Sequence, residues 1–301
     1  MRGPFILIGL PSGLAYNRGM PASPQSDVQL LSAQDFAAAR QADSLLFEVD
    51  SSPEGYEEAH IPGAVFFDTN WVEEPGTWNL RPQAQLAPIL AEVGLGRDSR
   101  ALLYSRRSIA AARLALLLLV VGVRRIGILD GGLGAWSQAG LPTESSPNSP
   151  AAHKAALAIA FARPDYLTDM AGLKGQVAED GALLVDVRSR AEHIGESSGY
   201  DFMRPRGRIP GSLWAGAGED KDSMQAYQGP EGRAKALDEI ARMWAERGIR
   251  PNGPLIFYCG TGWRAAEAFL YAYLMGWSDI SVYDGGWYEW SADPDNPIER
   301  G

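Results

Sequence analysis

The chain contains an internal repeat, and this feature restricts most strongly the folds that it can adopt. The segment Leu102–Ser105 resembles Ile256–Cys259, and Ile128–Gly132 resembles Val282–Gly286. Both pairs have the same offset of 154 residues, from position 104 to 258 and from 130 to 284. Repetition at a long fixed period indicates that one structural unit occurs twice. The sequence therefore predicts two similar domains, which suits a length of 301 residues because single cores rarely grow that large.

Short apolar segments alternate with helix-forming segments in both halves. Ser32 is placed to cap a helix, the apolar run Leu114–Val123 indicates a buried helix, and Lys235–Gly248 is amphipathic. Strands and helices that alternate with short connections predict an α/β fold, with each mostly parallel sheet flanked by helices. The predicted strands are Leu45–Asp50, Ala101–Ser105, Arg125–Asp130, Ala182–Val187, Pro254–Cys259 and Asp279–Asp284.

Changes in composition indicate where the domains begin and end. Pro, Ser and Ala dominate the stretch that follows residue 140, which is typical of a linker. We therefore expect a first domain at residues 25–140, a linker at 141–157 and a second domain at 158–296. The first 24 residues carry a short apolar run flanked by proline, a poor export signal. A cytoplasmic location is therefore favoured over export to the periplasm.

The bulk composition limits the partners of the chain. A net charge of −10 argues against a nucleic-acid backbone or an anionic membrane as a partner. No apolar segment approaches the roughly 18 residues of a membrane span. A single cysteine and three scattered histidines exclude an intramolecular disulfide and make a zinc site unconvincing, so we expect no metal and no cofactor.

The single cysteine begins the run Cys259-Gly260-Thr261-Gly262-Trp263-Arg264. The run lies between a predicted strand and the helix-forming stretch 265–270, so the sulfur is expected above backbone N–H groups at a helix N-terminus. Such a loop binds anions and favours a thiolate. An inert buried thiol is the common alternative for a lone cysteine, but it requires neither the glycines nor the arginine.

The residues that follow the cysteine are predicted to bind a small anionic substrate. Gly260 and Gly262 would adopt positive φ and turn several N–H groups inward. Thr261 would add a hydroxyl donor. Trp263 would either border the pocket or pack beneath the loop, and the sequence leaves these two alternatives open.

Arg264 is the predicted cationic group of the site. Its planar guanidinium suits a sulfonate or a carboxylate, and the alternative is a surface ion pair with Glu267 or Asp284. Asp284 is itself predicted to be structural. It would occupy a turn and, with Glu289, make a salt link that holds the last strand near the loop.

Two further motifs place the chain near a known family. The run at residues 56–64, Tyr-Glu-Glu-Ala-His-Ile-Pro-Gly-Ala, resembles the N-terminal signature of the rhodaneses, and residues 283–290 resemble their C-terminal signature. With Cys259 after an apolar strand, the chain resembles the tandem-domain rhodaneses over residues 25–296. This resemblance implies a catalytic second domain and an inactive first one. Ser105 stands at the position of Cys259 in the first half, where the loop lacks both glycines.

The resemblance also implies the chemistry, which is sulfur transfer through a persulfide on Cys259. The donor would be a small anion, and the acceptor cyanide or a thiol, with a protein sulfur acceptor as a further alternative. Thiosulfate is the predicted donor because Arg264 lies close in sequence to the thiol. The alternative donor is 3-mercaptopyruvate, because the loop begins like that of mercaptopyruvate sulfurtransferases and departs from it at Trp263.

The family often carries a pair of donor-binding arginines, and here the chain departs from the pattern. Asp186 and Arg188 match the beginning of that stretch, but Glu192 stands where an arginine is expected. Arg190 is the predicted substitute, together with the arginines at positions 204 and 206. Asp186 and Arg188 are predicted to form a structural pair near the site, since buried charges need partners.

Two functions of other classes fit part of the pattern. Phosphatases of a related fold use a Cys-x5-Arg loop, one residue longer than the Cys-x4-Arg loop between Cys259 and Arg264. The shorter ring suits sulfur or a sulfonate better than phosphate. A persulfide carrier that serves a protein partner would use the same loop, and Trp263 exposed at the rim would favour this alternative.

Overall fold

A computed structural model describes residues 27–150, 160–179 and 181–301. The predicted leader at residues 1–24 and part of the predicted linker lie outside the described residues. Within them the first half of the chain contains a five-stranded parallel sheet in the order β1-β5-β4-β2-β3. Its strands and helices are β1 Val28–Leu31, α1 Ala33–Ala39, β2 Ser44–Asp50, α2 Glu54–Glu58, β3 Val65–Asp68, α3 Gln83–Glu92, β4 Arg100–Tyr104, α4 Ser108–Val120, β5 Arg125–Leu129 and α5 Gly132–Gln138.

The second half repeats this arrangement. Its sheet is again parallel, and the order β6-β10-β9-β7-β8 corresponds strand by strand to the first sheet. The predicted α/β fold with two similar units is therefore confirmed. The elements are β6 Leu167–Thr168, α6 Met170–Glu179, β7 Leu183–Asp186, α7 Arg190–Ile194, β8 Leu213–Trp214, α8 Leu237–Glu246, β9 Leu255–Tyr258, α9 Trp263–Leu274, β10 Ile280–Tyr283 and α10 Gly286–Ala292.

Equivalent side chains play the same part in the two halves. The hydroxyl of Tyr104, at the end of β4, accepts a hydrogen bond from the backbone N–H of Ile61 at 2.9 Å. The hydroxyl of Tyr258, at the end of β9, accepts one from the N–H of Ile209 at 3.3 Å. Each bond ties a central strand to the Ile-Pro-Gly turn of its own half, so the repeated motifs have a structural purpose in both.

Helices α4 and α9 pack against each other and join the two halves. Every residue of α4 after Ser108 is buried, and one hydrophobic core runs from the first sheet through both helices to the second sheet. In each half, a separate smaller cluster of buried hydrophobic side chains covers the other face of the sheet. None of the helices in the described ranges has both the length and the apolar character needed to cross a membrane.

The first part of the predicted linker is fixed to the first unit. Glu144 forms an isolated backbone bridge with His60, and its Oε1 accepts hydrogen bonds from the N–H of Gly63 and the amide of Asn148, both at 2.7 Å. His60 is buried beneath this segment. Residues up to Asn148 are therefore anchored, although their composition is typical of a linker.

Candidate active site

The loop that carries Cys259 lies at the carboxyl end of β9, a central strand of the second sheet. In open α/β sheets this edge is where ligands bind. Cys259 is a free thiol, 1% exposed. The carbonyl groups of Cys259 and Gly260 accept hydrogen bonds from the N–H groups of Trp287 (2.7 Å) and Tyr288 (3.0 Å). The loop carbonyls are thereby held against the start of α10, while α9 begins directly after Gly262.

Only one of the two glycines in the loop adopts the predicted backbone conformation. Gly262 has a φ of 89°, but the prediction of a positive φ for Gly260 is wrong. Gly260 is required for another reason: a Cβ at this position would lie 2.4 Å from Cε2 and 2.6 Å from the hydroxyl oxygen of Tyr200. The backbone of the loop thus lies against the hydroxyl end of the Tyr200 ring.

We expect Gly260→Ala to displace this ring or the loop. Overpacking of this kind costs about 1–3 kcal/mol of unfolding free energy, and the displaced loop should slow the persulfide formation that the family resemblance implies. Urea unfolding and stopped-flow sulfur loading measure the two effects. Gly175→Ala on α6 is the matched control, because a Cβ there meets nothing within 4 Å, and Ala should not weaken that helix. Wild-type stability and loading rate in Gly260→Ala would contradict the close contact.

Tyr200 is a site residue that the sequence analysis missed. It belongs to the long segment between α7 and β8, and its hydroxyl lies 3.4 Å from Nη2 of Arg264. Burial raises the pKa of Tyr200 to about 12, against the lowering effect of Arg264. The phenol is therefore protonated at neutral pH and available as a hydrogen-bond donor beside the Cys259 loop. No local motif marks this tyrosine, because its contact with the loop arises only in the folded chain.

Arg264 is buried, and its guanidinium forms an ion pair with a carboxylate. Its Nη1 and Nη2 atoms each lie 2.9 Å from an oxygen of Glu192, and Nη1 also donates to the carbonyl of Asp220 at 3.0 Å. The alternative of a surface pair with Glu267 or Asp284 is therefore wrong. The positive charge beside the thiol is compensated before any donor binds, and Glu192, which replaces the arginine expected from the family, provides that compensation.

A second buried ion pair supports the same region. Arg188 Nη2 lies 2.7 Å from Asp186 Oδ2, both side chains are inaccessible, and His193 Nδ1 lies 3.0 Å from the same oxygen. Burial alone would raise the pKa of Asp186, but Arg188 and His193 hold it well below its usual value. Arg190 is instead exposed, with its guanidinium 5.3 Å from the ring of Trp214. Its predicted role in donor binding stays a prediction.

A cavity of about 250 Å³ lies between the two halves next to the loop. Trp263 borders it and is half-buried, and its indole N–H donates to Glu73 Oε1 of the first half at 2.8 Å. At the rim, Phe202 is 51% exposed and its ring stacks on Trp78 at 4.7 Å. The other lining residues are Ser51, Asn70, Arg107, Ile109, Tyr200, Asp201, Lys221, Asp222 and Thr261.

An ion cluster across the two halves fixes the position of the loop. Arg113 on α4 is fully buried, with Nε 2.8 Å from Glu73 Oε1 and Nη1 2.5 Å from Asp284 Oδ1. Its Nη2 donates to the carbonyl of Trp78 at 2.9 Å, and Trp78 has a strained φ of 61°. The salt link predicted for Asp284 therefore has its partner in the other half of the chain.

Comparison with known proteins agrees with this geometry. The sequence model of the family described as "Rhodanese-like domain" matches residues 32–139 and 169–293. The chain belongs to the rhodanese family. It is 44% identical over 252 residues to thiosulfate sulfurtransferase YnjE of Escherichia coli, covering 83% of this chain but only 58% of the length of YnjE. It is 32% identical over 297 residues to a probable 3-mercaptopyruvate sulfurtransferase of Pseudomonas aeruginosa, covering 92% and 99% of the two chains.

Solved structures of other chains align with most of this chain, which spans about two thirds of their length. The crystal structure of YnjE aligns with a TM-score of 0.84 at 41% identity, over 91% of this chain and 68% of that one. A complex of EanB with hercynine aligns with a TM-score of 0.85 at 35% identity, over 90% and 69%. Another EanB structure is described as a Cys-persulfide in a tetrahedral intermediate state with ergothioneine.

The first rhodanese-like unit has a different loop at the position equivalent to the Cys259 loop. The hydroxyl of Ser105 donates to the carbonyl of Arg107 at 2.5 Å and lies 3.4 Å from the N–H of Ala111. These bonds hold the hydroxyl against its own loop and the start of α4. Such a bonded, unactivated hydroxyl is a weak nucleophile.

Glu267 on α9 is expected to give this rhodanese a pH-dependent stability. It accepts a hydrogen bond from Tyr271 at 2.6 Å, and burial raises its pKa to about 7 despite the lowering effects of Ser108 and Tyr271. A carboxyl whose pKa is higher in the folded chain than in the unfolded chain contributes to stability. This contribution is at its full value when the pH is below the pKa of the unfolded chain. That contribution is lost as the pH rises through the folded pKa.

We expect the wild type to lose about 1–3 kcal/mol of unfolding free energy between roughly pH 4.5 and pH 7.5 through Glu267. Glu267→Gln should remove this part of the dependence, because the amide does not ionise. Urea unfolding at several pH values measures the difference between the two proteins. Glu246→Gln, at an exposed position on α8, is the control and should retain the wild-type dependence. Equal slopes for the wild type and Glu267→Gln would contradict the raised pKa.

Proposed function

We propose that the chain is a sulfurtransferase that carries sulfane sulfur as a persulfide on Cys259. The observation that carries this proposal is the position of the single cysteine, between β9 and the amino end of α9, in a loop whose Thr261 and Trp263 border an interdomain cavity. The names of the relatives YnjE and the Pseudomonas protein support the same class of activity. In this proposal residues 158–296 form the catalytic domain and residues 25–140 the inactive one, joined by residues 141–157.

The proposed reaction has two half-reactions. The thiolate of Cys259 attacks the outer sulfur of thiosulfate, a new S–S bond forms, and the S–S bond of thiosulfate breaks so that sulfite leaves with the electron pair. In the second half-reaction, cyanide or a thiolate attacks the outer sulfur of the persulfide. The S–S bond of the persulfide then breaks, and its electron pair returns to Cys259 as a thiolate.

The groups around Cys259 suit an anionic persulfide. Backbone N–H groups at the start of a helix stabilise negative charge, and α9 is 12 residues long. The Tyr200 hydroxyl adds a neutral donor above the loop. Arg264 acts on the thiol only as half of a neutral pair with Glu192, so hydrogen-bond donors rather than net charge should provide most of the stabilisation.

Thiosulfate is the proposed donor, and 3-mercaptopyruvate is the alternative. The relation to YnjE supports thiosulfate, whereas the Pseudomonas and human relatives carry the name 3-mercaptopyruvate sulfurtransferase. The compensated charge of Arg264 weakens the argument that a cation beside the thiol selects thiosulfate. The donor has to be decided by measurement.

Steady-state kinetics with both donors and cyanide as acceptor test the proposal. We expect kcat/KM for thiosulfate to exceed that for 3-mercaptopyruvate, with thiocyanate and sulfite released in equal amounts. A value for 3-mercaptopyruvate tenfold above that for thiosulfate would reverse the donor assignment. If a correctly folded chain forms neither thiocyanate nor a persulfide on Cys259 with either donor, sulfur transfer itself is contradicted.

A small organic acceptor is a second candidate for the other half-reaction. The EanB structures, described with hercynine or ergothioneine bound, align over 90% of this chain at 34–35% identity. Incubation of the persulfide form with hercynine should then yield ergothioneine, detected by mass spectrometry. A protein carrier has less support, because Trp263 bonds to Glu73 and is half-buried rather than exposed at the rim.

A further inference from the structure

A second cavity lies between the Ser105 loop and helix α9. It has a volume of about 420 Å³ and is lined by residues of both halves. Arg107 and Asp222 border this cavity and also the one beside Cys259, and their Nη1 and Oδ1 atoms are 3.5 Å apart. The two cavities therefore meet at this ion pair. The second one occupies, in the first half, the place that the proposed active site occupies in the second.

Glu267 places a buried carboxyl group in the wall of this cavity. It is 3% exposed, and Tyr271 donates to its Oε1. Its Oε2 has no partner at hydrogen-bonding distance among the described residues, although the Ser108 hydroxyl is close enough to lower the pKa of the carboxyl. A buried carboxylate oxygen without a partner is costly. Asp130 also lines the cavity, and its negative charge acts on Glu267. Two carboxyl groups thus face a common space, and the charge of Arg233 acts on Asp130, whereas no salt bridge to Glu267 is found among the described residues.

The arginines that line the cavity are bound elsewhere. Arg106 donates through Nε to Glu48 at 3.1 Å and through Nη2 to the carbonyl of Ala59 at 2.6 Å. Arg107 binds Asp50 through Nη2 at 2.6 Å. Neither guanidinium contacts Glu267 among the bonds found in the described part of the chain. A cation bound in the cavity would compensate the charge that Glu267 and Asp130 carry when they are ionised.

We propose that this cavity is a binding site for a small primary ammonium compound with an apolar body. The ammonium group would donate a hydrogen bond to Glu267 Oε2 and face Asp130, while Ile128, Leu270 and Leu274 on the walls would cover the apolar part. The volume falls within the roughly 300–1,000 Å³ of small-molecule sites. A metal ion is a poorer occupant, because the described residues contain no group of three or more side chains able to hold one.

Calorimetric titration with 2-phenylethylammonium tests the proposal. Two probes of similar shape, the neutral 2-phenylethanol and the anionic 3-phenylpropionate, isolate the contribution of charge. We expect the ammonium probe to bind at least about tenfold more tightly than the alcohol, and the carboxylate not to bind. A thermal shift that depends on ammonium concentration should accompany binding.

Variants locate the binding site. Glu267→Gln keeps an acceptor for Tyr271 but removes the charge, so affinity for the ammonium probe should fall about tenfold or more. Asp130→Asn, which keeps an oxygen for the N–H of Ala234 that Asp130 Oδ1 accepts at 2.7 Å, should weaken binding as well. Glu246→Gln on α8 is the matched control with unchanged affinity.

The proposal is overturned if the alcohol binds as tightly as the ammonium probe, or if Glu267→Gln binds like the wild type. If 2-phenylethylammonium shows no saturable binding at millimolar concentration, the proposal is also overturned. The cavity would then hold only water. Persulfide formation at Cys259 is measured separately on the wild type, so the failure of one proposal is distinguishable from the failure of the other.

Discussion

Cys259→Ser is expected to abolish sulfur loading, with a fall of about 10³-fold or more in the rate of persulfide formation. A serine hydroxyl is a much weaker nucleophile than a thiolate, and no histidine base lies in the loop at residues 259–264. Intact-mass measurement after exposure to thiosulfate should find one added sulfur atom in the wild type and none in the variant. Because Cys259 is the only cysteine of the chain, such an adduct has one assignment.

Ser105→Ala is the matched control for this experiment. It removes the hydroxyl at the equivalent position of the first half, which is hydrogen-bonded to its own loop, and should load sulfur at the wild-type rate. Thermal unfolding of both variants separates a chemical loss from a folding defect. A sulfur adduct on Cys259→Ser, or none on the folded wild type with thiosulfate and with 3-mercaptopyruvate, would be incompatible with the mechanism.

Arg113→Met is expected to destabilise the fold by about 3–5 kcal/mol, because it leaves the carboxylates of Glu73 and Asp284 buried without their cation. Urea unfolding measures the loss. Arg242→Met is the matched control: Arg242 is 72% exposed and 3.8 Å from Asp238, and such pairs contribute about 1 kcal/mol or less. Similar losses in the two variants would mean that the buried cluster does not hold the halves together.

A second variant tests the origin of this effect. If the unpaired charges cause the loss, the double variant Arg113→Met and Glu73→Gln should be more stable than Arg113→Met alone. Arg113→Met should also load sulfur more slowly, since Asp284 precedes the turn into α10, which binds the loop carbonyls. A double variant less stable than the single one would indicate lost packing rather than uncompensated charge.

The sequence predicts the central strands of both sheets and misses the edges. All six predicted strands are present, with each end within one residue of the prediction, because central parallel strands are buried on both faces and are largely apolar. The four strands that were missed, β1, β3, β6 and β8, are the edge strands of the two sheets. β6 and β8 have two residues each. β1 and β3 have four each but are only partly buried, so none of the four shows the buried apolar run of the central strands.

Part of the candidate site could be predicted for a related reason. The loop from Cys259 to Arg264 is contiguous, so its residue types and spacing carry information by themselves. The partners of these residues come from distant positions: Tyr200 covers Gly260, Glu192 binds Arg264, and Glu73 binds Trp263. Such contacts depend on how the long segment after α7 folds and on how the two halves meet, and neither is encoded in a local pattern.

The core that passes through α4 and α9 has a consequence for the history of such a chain. The half that carries serine in place of the nucleophile covers the apolar face of α9, and its loss would leave that face in water. Because the two halves share one hydrophobic core, either half can lose its reactive residues. Neither half can be removed without exposing that core. Shortening the protein to one reactive unit would require a new polar surface along a whole helix, so the duplication is difficult to reverse.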